Sequence, residues 1–363
     1  MNLQRLSYSS PILTGRPHLS PRIPMRMFSA LKWVLPIVIL VSALAIAVHY
    51  VYFTFPFHSK KTEVVLTIEP GTSVAQIAND LTRTEVIDSP ALFKAIARTR
   101  GVDRKLKAGR YRFEKGQSEA MTVSMLARGS TVGERVTIPE GLTFRQIASL
   151  LSREASVDSI RFVFLSSDEA FIKSLEVKAK SLEGYLFPDT YNIFWRMDAA
   201  RVIRMMVGRL FEIFDETHQE QAIRMGSTLH HVLTMASMVE REAMVSVERP
   251  LIAGVLYSRL RMGMPLQCDA TVQYALPKHK ELLTYRDLEV KSPYNTYLHR
   301  GLPPGPICNP GASSIEAALY PEETECLYYV ALGDGSHIFS RTKREHARAK
   351  VEARLNKQAM RRN

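Results

Sequence analysis

Cysteine is scarce in this sequence, and its spacing is irregular. The 363 residues include only Cys268, Cys308 and Cys326, with no Cys-x-x-Cys pair. An odd number of widely spaced cysteines does not provide a disulfide framework, and it lacks the paired thiols of a structural zinc site. A Cys268–Cys308 disulfide is an alternative in an oxidising compartment, but free thiols are expected.

The short motifs of several enzyme classes are also absent. His230 and His231 are adjacent but do not belong to a His-Glu-x-x-His motif, and the chain contains no Gly-x-Ser-x-Gly motif. The first motif would indicate a metal site and the second a serine nucleophile. We therefore expect no metal and no cofactor.

The positive charge lacks the patterns that indicate nucleic-acid binding. The formal net charge is +12, which could attract an anionic polymer. However, no helix-turn-helix, zinc-finger or interleaved aromatic and basic pattern accompanies it. Nucleic acid is therefore not an expected partner, and an anionic membrane surface or cell wall is the better candidate.

Acidic residues are absent from the N-terminal 32 residues, and charge of either sign is absent from Trp33 to Ser59. About 20 apolar residues cross a bilayer, so residues 33–55 are predicted to form an uncleaved transmembrane helix. The basic residues before it place residues 1–32 in the cytoplasm and the chain after residue 60 outside. A cleaved signal peptide is the alternative, but no small-residue cleavage site follows the apolar run.

The sequence contains an internal repeat. The segment from Ile68 to Leu81 aligns with the segment from Ile138 to Leu151, and both have Ser or Thr three residues before Gln, the spacing of a capping box. Each copy is predicted to be a strand–helix–helix–strand unit, over residues 62–130 and 131–198. The second copy is expected to return to a strand near Gly184–Phe187. Units of this size resemble the LysM carbohydrate-binding module, and a duplicated scaffold without a ligand is the alternative.

Residues 199–363 differ in character and are predicted to form an α+β catalytic domain. Helical periodicity covers residues 199–225, 229–243 and 251–260, and a Pro- and Gly-rich stretch covers Ser292 to Gly311. Ser313 and Glu316 are expected to cap a helix. Two strands are then predicted, Leu327–Leu332 and His337–Phe339. The fold class is therefore α+β, with a transmembrane helix and two repeats before the catalytic domain.

Glu240 is the candidate catalytic residue. It continues an apolar stripe of a predicted helix formed by Leu229, Leu233 and Ala236. Partial burial favours the protonated form of a carboxylate and suits it to donate a proton. An ion pair with an arginine is the alternative. Glu242 and Glu248 are expected to be surface charges.

Several further side chains are candidates for binding substrate. Tyr294 and Asn295 belong to a proline-rich loop that cannot form regular structure. Rigid loops with such side chains suit sugar binding, and a purely structural loop is the alternative. Gln267 and Asp269 lie in the segment Leu266-Gln-Cys-Asp269-Ala-Thr271.

Several motifs in order resemble the YceG-like family over roughly residues 33–350. They are Leu182-Glu-Gly-Tyr-Leu-Phe-Pro-Asp-Thr-Tyr191, Ala236-Ser-Met-Val-Glu240-Arg-Glu242, Arg259-Leu-Arg-Met-Gly-Met-Pro-Leu-Gln-Cys-Asp-Ala-Thr-Val272, and Pro293-Tyr-Asn-Thr-Tyr297 with Gly301-Leu-Pro-Pro-Gly305. The resemblance implies that Glu240 is the catalytic residue. Cys268, Cys308 and the long N-terminal tail depart from the family pattern, and none of them is expected to contact Glu240.

The resemblance also implies an activity. It implies an inner-membrane lytic transglycosylase with an outward-facing, periplasmic catalytic domain, which cleaves between MurNAc and GlcNAc within peptidoglycan glycan strands. The product would be a 1,6-anhydro-MurNAc end, and the enzyme would help to terminate strand elongation beside penicillin-binding synthases. Such cleavage needs only one carboxylate, because the C6 hydroxyl of the sugar attacks C1. A muramidase that uses water with Asp269 as base, and a wall-binding scaffold without activity, are the alternatives.

Overall fold

The computed structural model describes residues 36–47, 62–129 and 131–360. The chain divides into two units, with the border between residues 61 and 62. In the first unit, residues 36–47 form helix α1, whose side chains are all exposed. Within the described ranges, no helix is both long enough and apolar enough to cross a membrane. The predicted tail (1–32) and both ends of the predicted transmembrane helix (33–55) lie outside those ranges.

The first repeat is a strand–helix–helix–strand unit, as predicted. Its strands pair antiparallel, with Ile68 opposite Gly109. The predicted capping box is confirmed, because Ser73 accepts from the Gln76 amide while the Gln76 side chain accepts from the Ser73 amide. The elements are β1 (Glu63–Ile68), α2 (Val74–Arg83), α3 (Pro90–Thr99) and β2 (Gly109–Glu114), followed by α4 (Glu119–Arg128).

The second repeat has one helix more than predicted. Its capping box at Thr143 and Gln146 is confirmed. However, Asp158 and Asp168 each accept a hydrogen bond from a backbone amide three residues later, so they start two separate short helices. The elements are β3 (Gly133–Thr137), α5 (Phe144–Ala155), α6 (Ser159–Leu165), α7 (Glu169–Ser174) and β4 (Thr190–Phe194).

The predicted return strand at Gly184–Phe187 is wrong. This segment is a turn in which Gly184 has a φ of +85°, and β4 begins only after Pro188. A side chain at Gly184 would also overlap the ring of Pro306. The turn therefore brings the second repeat into close contact with the proline-rich loop.

The remaining chain is mostly helical. The predicted cap at Ser313 is wrong, because the last helix before the hairpin starts after Gly311 and has no side-chain cap. Residues 292–311 form no regular structure. The helices are α8 (Ala199–Ile213), α9 (Glu216–Arg224), α10 (Leu229–Glu242), α11 (Arg249–Arg261), α12 (Asp269–Ala275) and α13 (Ala312–Leu319), with short 3-10 turns at Ser246–Glu248 and Asp287–Glu289.

The predicted C-terminal hairpin is confirmed. Strands β5 (Tyr328–Ala331) and β6 (His337–Ser340) pair antiparallel, and α14 (Lys343–Met360) follows. The ring of Tyr328 stacks on His346 of α14, with 5.1 Å between the ring centroids. The described residues thus contain three two-stranded sheets among helices, which confirms the mixed α+β class.

Two hydrophobic cores hold the molecule together. One belongs to the first repeat and includes Phe93 and Phe113. The other is continuous from Val136 in the second repeat to Leu319 in α13, and it includes Leu233 and Ala236 of α10. The predicted border at residue 199 falls inside this second core, so the second repeat and the helices after it pack as one body.

Candidate active site

Glu240 lies in the last turn of α10, and its side chain is only 8% exposed. Its carboxylate accepts three hydrogen bonds. The Arg249 guanidinium donates to Oε1 over 3.3 Å, while the Gly311 amide and the Ser314 hydroxyl donate to Oε2 over 3.1 and 2.8 Å. Gly311 and Ser314 belong to the start of α13, where the helix dipole stabilises negative charge. The site therefore surrounds the Glu240 carboxylate with three hydrogen-bond donors.

Arg249 connects the parts of this site. Its side chain is 11% exposed, and its Nε donates to the hydroxyl of Ser314 over 3.0 Å. Its Nη1 donates to Ser246 over 2.6 Å. Its Nη2 lies 3.3 Å from Glu240 and 3.9 Å from Glu140. One guanidinium thus fixes Ser314 and lies between two carboxylates.

Glu140 is the second carboxylate at the site. It comes from the turn between β3 and α5, and its side chain is half-exposed. The carboxylate lies directly against the backbone of Gly311, where any side chain would overlap it. Burial raises the pKa of Glu140, the charge of Glu240 raises it further, and Arg249 lowers it. The second repeat thus supplies a carboxylate that faces solvent on one side and Arg249 on the other.

Glu183 is a buried carboxylate in the core next to the site. It is 1% exposed and accepts hydrogen bonds from the Phe144 amide (3.0 Å), the Asn309 side chain (3.1 Å) and the Tyr274 hydroxyl (3.2 Å). Burial raises the pKa of Glu183 to about 8, although these hydrogen bonds lower it. Since Glu183 belongs to the second repeat and Tyr274 to α12, this carboxylate joins the two halves of the large core.

The segment before α13 is fixed at both ends. The Asn309 side chain also donates to the Leu142 carbonyl, and its backbone carbonyl accepts from the Gly141 amide at 2.9 Å. At the other end, His230 contacts the Pro304 carbonyl at 2.9 Å and the Tyr185 hydroxyl at 3.0 Å. The loop therefore presents Gly311 to Glu240 in a defined position.

A sequence model of the YceG-like family matches residues 66–352, most of the chain. This chain belongs to the YceG-like family. The predicted resemblance is confirmed.

Two named proteins and one solved structure are similar to this chain over most of its length. A Bacillus subtilis protein named endolytic murein transglycosylase is 37% identical over 80% of this chain and 84% of its own length. A Streptococcus pneumoniae protein of the same name is 30% identical over 81% of this chain and 59% of its own length. The crystal structure of a yceG-like protein from Listeria monocytogenes has a TM-score of 0.58 and 35% identity, and the match covers 79% of this chain and 98% of that one.

Within this YceG-like chain, Asp269 and Gln267 lie in a different cluster from Glu240. Asp269 is exposed at the start of α12 and accepts a hydrogen bond from the Tyr297 hydroxyl over 2.5 Å. The charge of Asp269 raises the pKa of Glu242. Gln267 is exposed, with a φ of +52°, and its backbone amide donates to the Thr296 carbonyl. No contact in the described residues joins either side chain to Glu240.

Tyr294 and Asn295 have different surroundings. The Tyr294 ring is half-buried against Tyr274, with 4.9 Å between centroids, and so adjoins the Glu183 cluster. The side chain of Asn295 is fully buried, donates to the carbonyls of Leu288 and Val290, and accepts from the Tyr297 amide. Its polar atoms thus hold the loop together.

The expectation that Glu242 and Glu248 are surface charges is wrong. Cys268 donates to Glu242 over 2.8 Å, and burial raises the pKa of Glu242. Glu248 accepts from the backbone and the ring of His337, at 3.0 and 2.7 Å. Residues two apart on a helix point to different sides, so Glu242 faces the α12 cluster while Glu240 faces α13.

Sequence reasoning did not identify Glu140, Glu183 or Arg249 as site residues. Glu183 lies in one of the family motifs, and Glu140 lies in the second copy of the repeat, which carries one signal for it. The first copy reads Glu69-Pro70-Gly71, whereas the second has proline before glutamate, so that Glu140 directly precedes the glycine turn. Arg249 is the arginine that the ion-pair alternative for Glu240 requires.

Proposed function

We propose that this YceG-like chain is an endolytic murein transglycosylase, a lyase that cleaves β-1,4 bonds between MurNAc and GlcNAc within peptidoglycan strands. The observation that carries the proposal is the setting of Glu240, a nearly buried carboxylate that contacts Arg249 and the start of α13. The names of the B. subtilis and S. pneumoniae relatives supply the substrate class. The product has a 1,6-anhydro-MurNAc end.

Glu240 provides the acid and base chemistry of this reaction. The bond between C1 of MurNAc and O4 of GlcNAc breaks as a proton reaches O4. The C6 hydroxyl of the same MurNAc gives up its proton and attacks C1, which closes the anhydro ring. No water is consumed, and the proton lost by O6 balances the proton gained by O4. In the simplest scheme Glu240 first donates a proton to O4 and then accepts the proton of O6.

Three residues outside the Glu240 cluster have the chemistry of substrate contacts. Tyr294 offers a half-buried ring for a sugar face, and Gln267 and Asp269 offer exposed polar groups. Asn295 contributes by fixing this loop. No metal or cofactor takes part in the proposed reaction.

The N-terminal region anchors the proposed enzyme in the inner membrane. We place residues 33–55 across the inner membrane, residues 1–32 in the cytoplasm and the catalytic region in the periplasm, on the basis of the charge-free run from Trp33 to Ser59. The LysM-like repeats would contact glycan, and penicillin-binding synthases would be neighbours. Cleavage of nascent strands there would help to end their elongation.

The test is the chemistry of the new strand ends. The full-length chain in mild detergent is incubated with uncrosslinked glycan strands, with Glu240→Gln in parallel and Glu154→Gln, at an exposed surface pair, as control. We expect anhydro ends from the wild type and the control, and at least ~100-fold fewer from Glu240→Gln. Reducing ends would indicate hydrolysis instead. No cleavage by the wild type would favour a wall-binding scaffold.

A further inference from the structure

The two carboxylates of the site have opposite surroundings. Glu240 is nearly buried, and three donors occupy three of its about four acceptor positions. Glu140 is half-exposed, and among the described contacts it receives only the longer interaction with Arg249, at 3.9 Å. Glu140 therefore has more acceptor positions free to carry a proton than Glu240 has.

We propose that Glu140 is a second catalytic carboxylate, which protonates the O4 leaving group while Glu240 takes the proton of the C6 hydroxyl. This inference rests on the proposed function and divides the acid and base work that one residue would otherwise perform. The raised pKa of the Glu140 carboxyl is consistent with this division.

The geometry suits a pair of this kind. Glycosidases hold two carboxyl groups roughly 5 to 9.5 Å apart on either side of the scissile bond. Here an oxygen of each carboxylate lies within 3.9 Å of the same Arg249 nitrogen, so the two groups are near enough to act on one bond. A strand that enters from the solvent side would meet Glu140 first and Glu240 beneath it.

The proton balance closes over one turnover. Glu140 loses its proton to O4 as the C1–O4 bond breaks, and Glu240 gains the proton of O6 as the O6–C1 bond forms. The pair then holds the same single proton on the other carboxylate. Because Glu140 is half-exposed, water can return a proton to it while Glu240 releases one. Arg249 balances the negative charge throughout.

The variant that tests this division is Glu140→Gln in the full-length chain, with Glu154→Gln as the matched control on the same repeat. Two substrates are used: an uncrosslinked glycan strand, and an analogue in which 4-nitrophenol replaces the GlcNAc that leaves. On strands we expect kcat of Glu140→Gln to fall ~100-fold or more with KM within about threefold of wild type. On the analogue we expect a fall of less than about tenfold, because nitrophenolate leaves without a proton. Glu240→Gln is expected to be slow on both.

Each contrary result has a separate meaning. If Glu140→Gln cleaves strands within about threefold of wild type, or if only KM rises, the residue has no catalytic role. If the variant loses activity equally on both substrates, Glu140 positions Arg249 or Glu240 and does not donate the proton. If the wild-type chain yields no anhydro ends from strands, the proposed function fails instead. Thermal unfolding of each variant shows that the fold is intact.

Discussion

The side chain of Asn309 donates a hydrogen bond of 3.1 Å to the buried carboxylate of Glu183. The same side chain accepts from the Leu186 amide and donates to the Leu142 carbonyl, both at 2.9 Å. Asn309 lies two residues before Gly311, whose amide contacts Glu240. A single amide group therefore links the second repeat to the residue that we propose as the centre of catalysis.

Asn309→Ala should weaken both stability and activity. The change removes a donor from Glu183 and leaves the Leu186 amide without its partner inside the protein. Each buried polar group without a partner costs about 1–3 kcal/mol, so we expect the free energy of unfolding to fall by about 3 kcal/mol. Urea unfolding measures this, with the exposed Asn79→Ala as control. A loss below about 1 kcal/mol would show that the Asn309 network is not needed for stability.

Glu183 should make stability depend on pH. Its pKa is raised from 4.5 to about 8 in the folded chain, so between these values the folded state keeps a proton that the unfolded state has released. The stability that Glu183 contributes is therefore present at low pH and is lost as pH rises towards 8. The free energy of unfolding falls by at most about 1.4 kcal/mol per pH unit in this range. Glu183→Gln should flatten this slope, since a neutral amide fits the same pocket once the Tyr274 hydroxyl turns to accept. Unfolding curves at pH 5.5 and 8 provide the measurement, and an unchanged slope would contradict it.

Gly311→Ala should lower activity with little effect on stability. The φ of Gly311 is −81°, which alanine adopts easily, but the new methyl group would occupy the position of the Glu140 carboxylate. Because Glu140 is flexible and half-exposed, it can swing away at low cost. We expect kcat to fall roughly 10- to 100-fold, as for a misplaced catalytic group. Gly208→Ala is the control, since that glycine lies on α8 with open space around it. An unchanged kcat would argue against Glu140 as proton donor.

The thiols should differ in reactivity. Cys268 and Cys308 are buried, Cys326 is partly exposed, and all three are free. Titration of the native chain with an aromatic disulfide should therefore modify Cys326 alone, and unfolding should expose the other two. Cys326→Ser should abolish the native reaction, and rapid reaction of this variant would show that the core opens.

Local signals in the sequence predicted much of the fold. The capping boxes at Ser73 and Thr143 are set by residues three apart, and the stripe that includes Glu240 follows from helical spacing. The third helix of the second repeat was missed because its N-cap, Asp168, resembles an ordinary loop residue until its backbone partner is known.

Most of the site's contacts depend on packing between distant segments. Glu140 and Glu240 are brought together by a core that runs from Val136 to Leu319, and nothing in their spacing predicts it. For the same reason the sequence points to Asp269 as the base of the muramidase alternative, although α12 places it beside Glu242. The order of proline and glutamate before Gly141, opposite to that before Gly71, was the one local difference that could have pointed to Glu140.

The continuous core has a consequence for how this protein can be divided. A fragment that starts at residue 199 would keep Glu240 and Arg249 but lose Glu140 and Glu183, together with the apolar partners of α10. If the repeats were exchanged between relatives at residue 199, Glu140 and Glu183 would come from one protein and Glu240 and Arg249 from another. The smallest portable segment that carries the whole site therefore begins before Gly133, and the first repeat has a core of its own outside that segment.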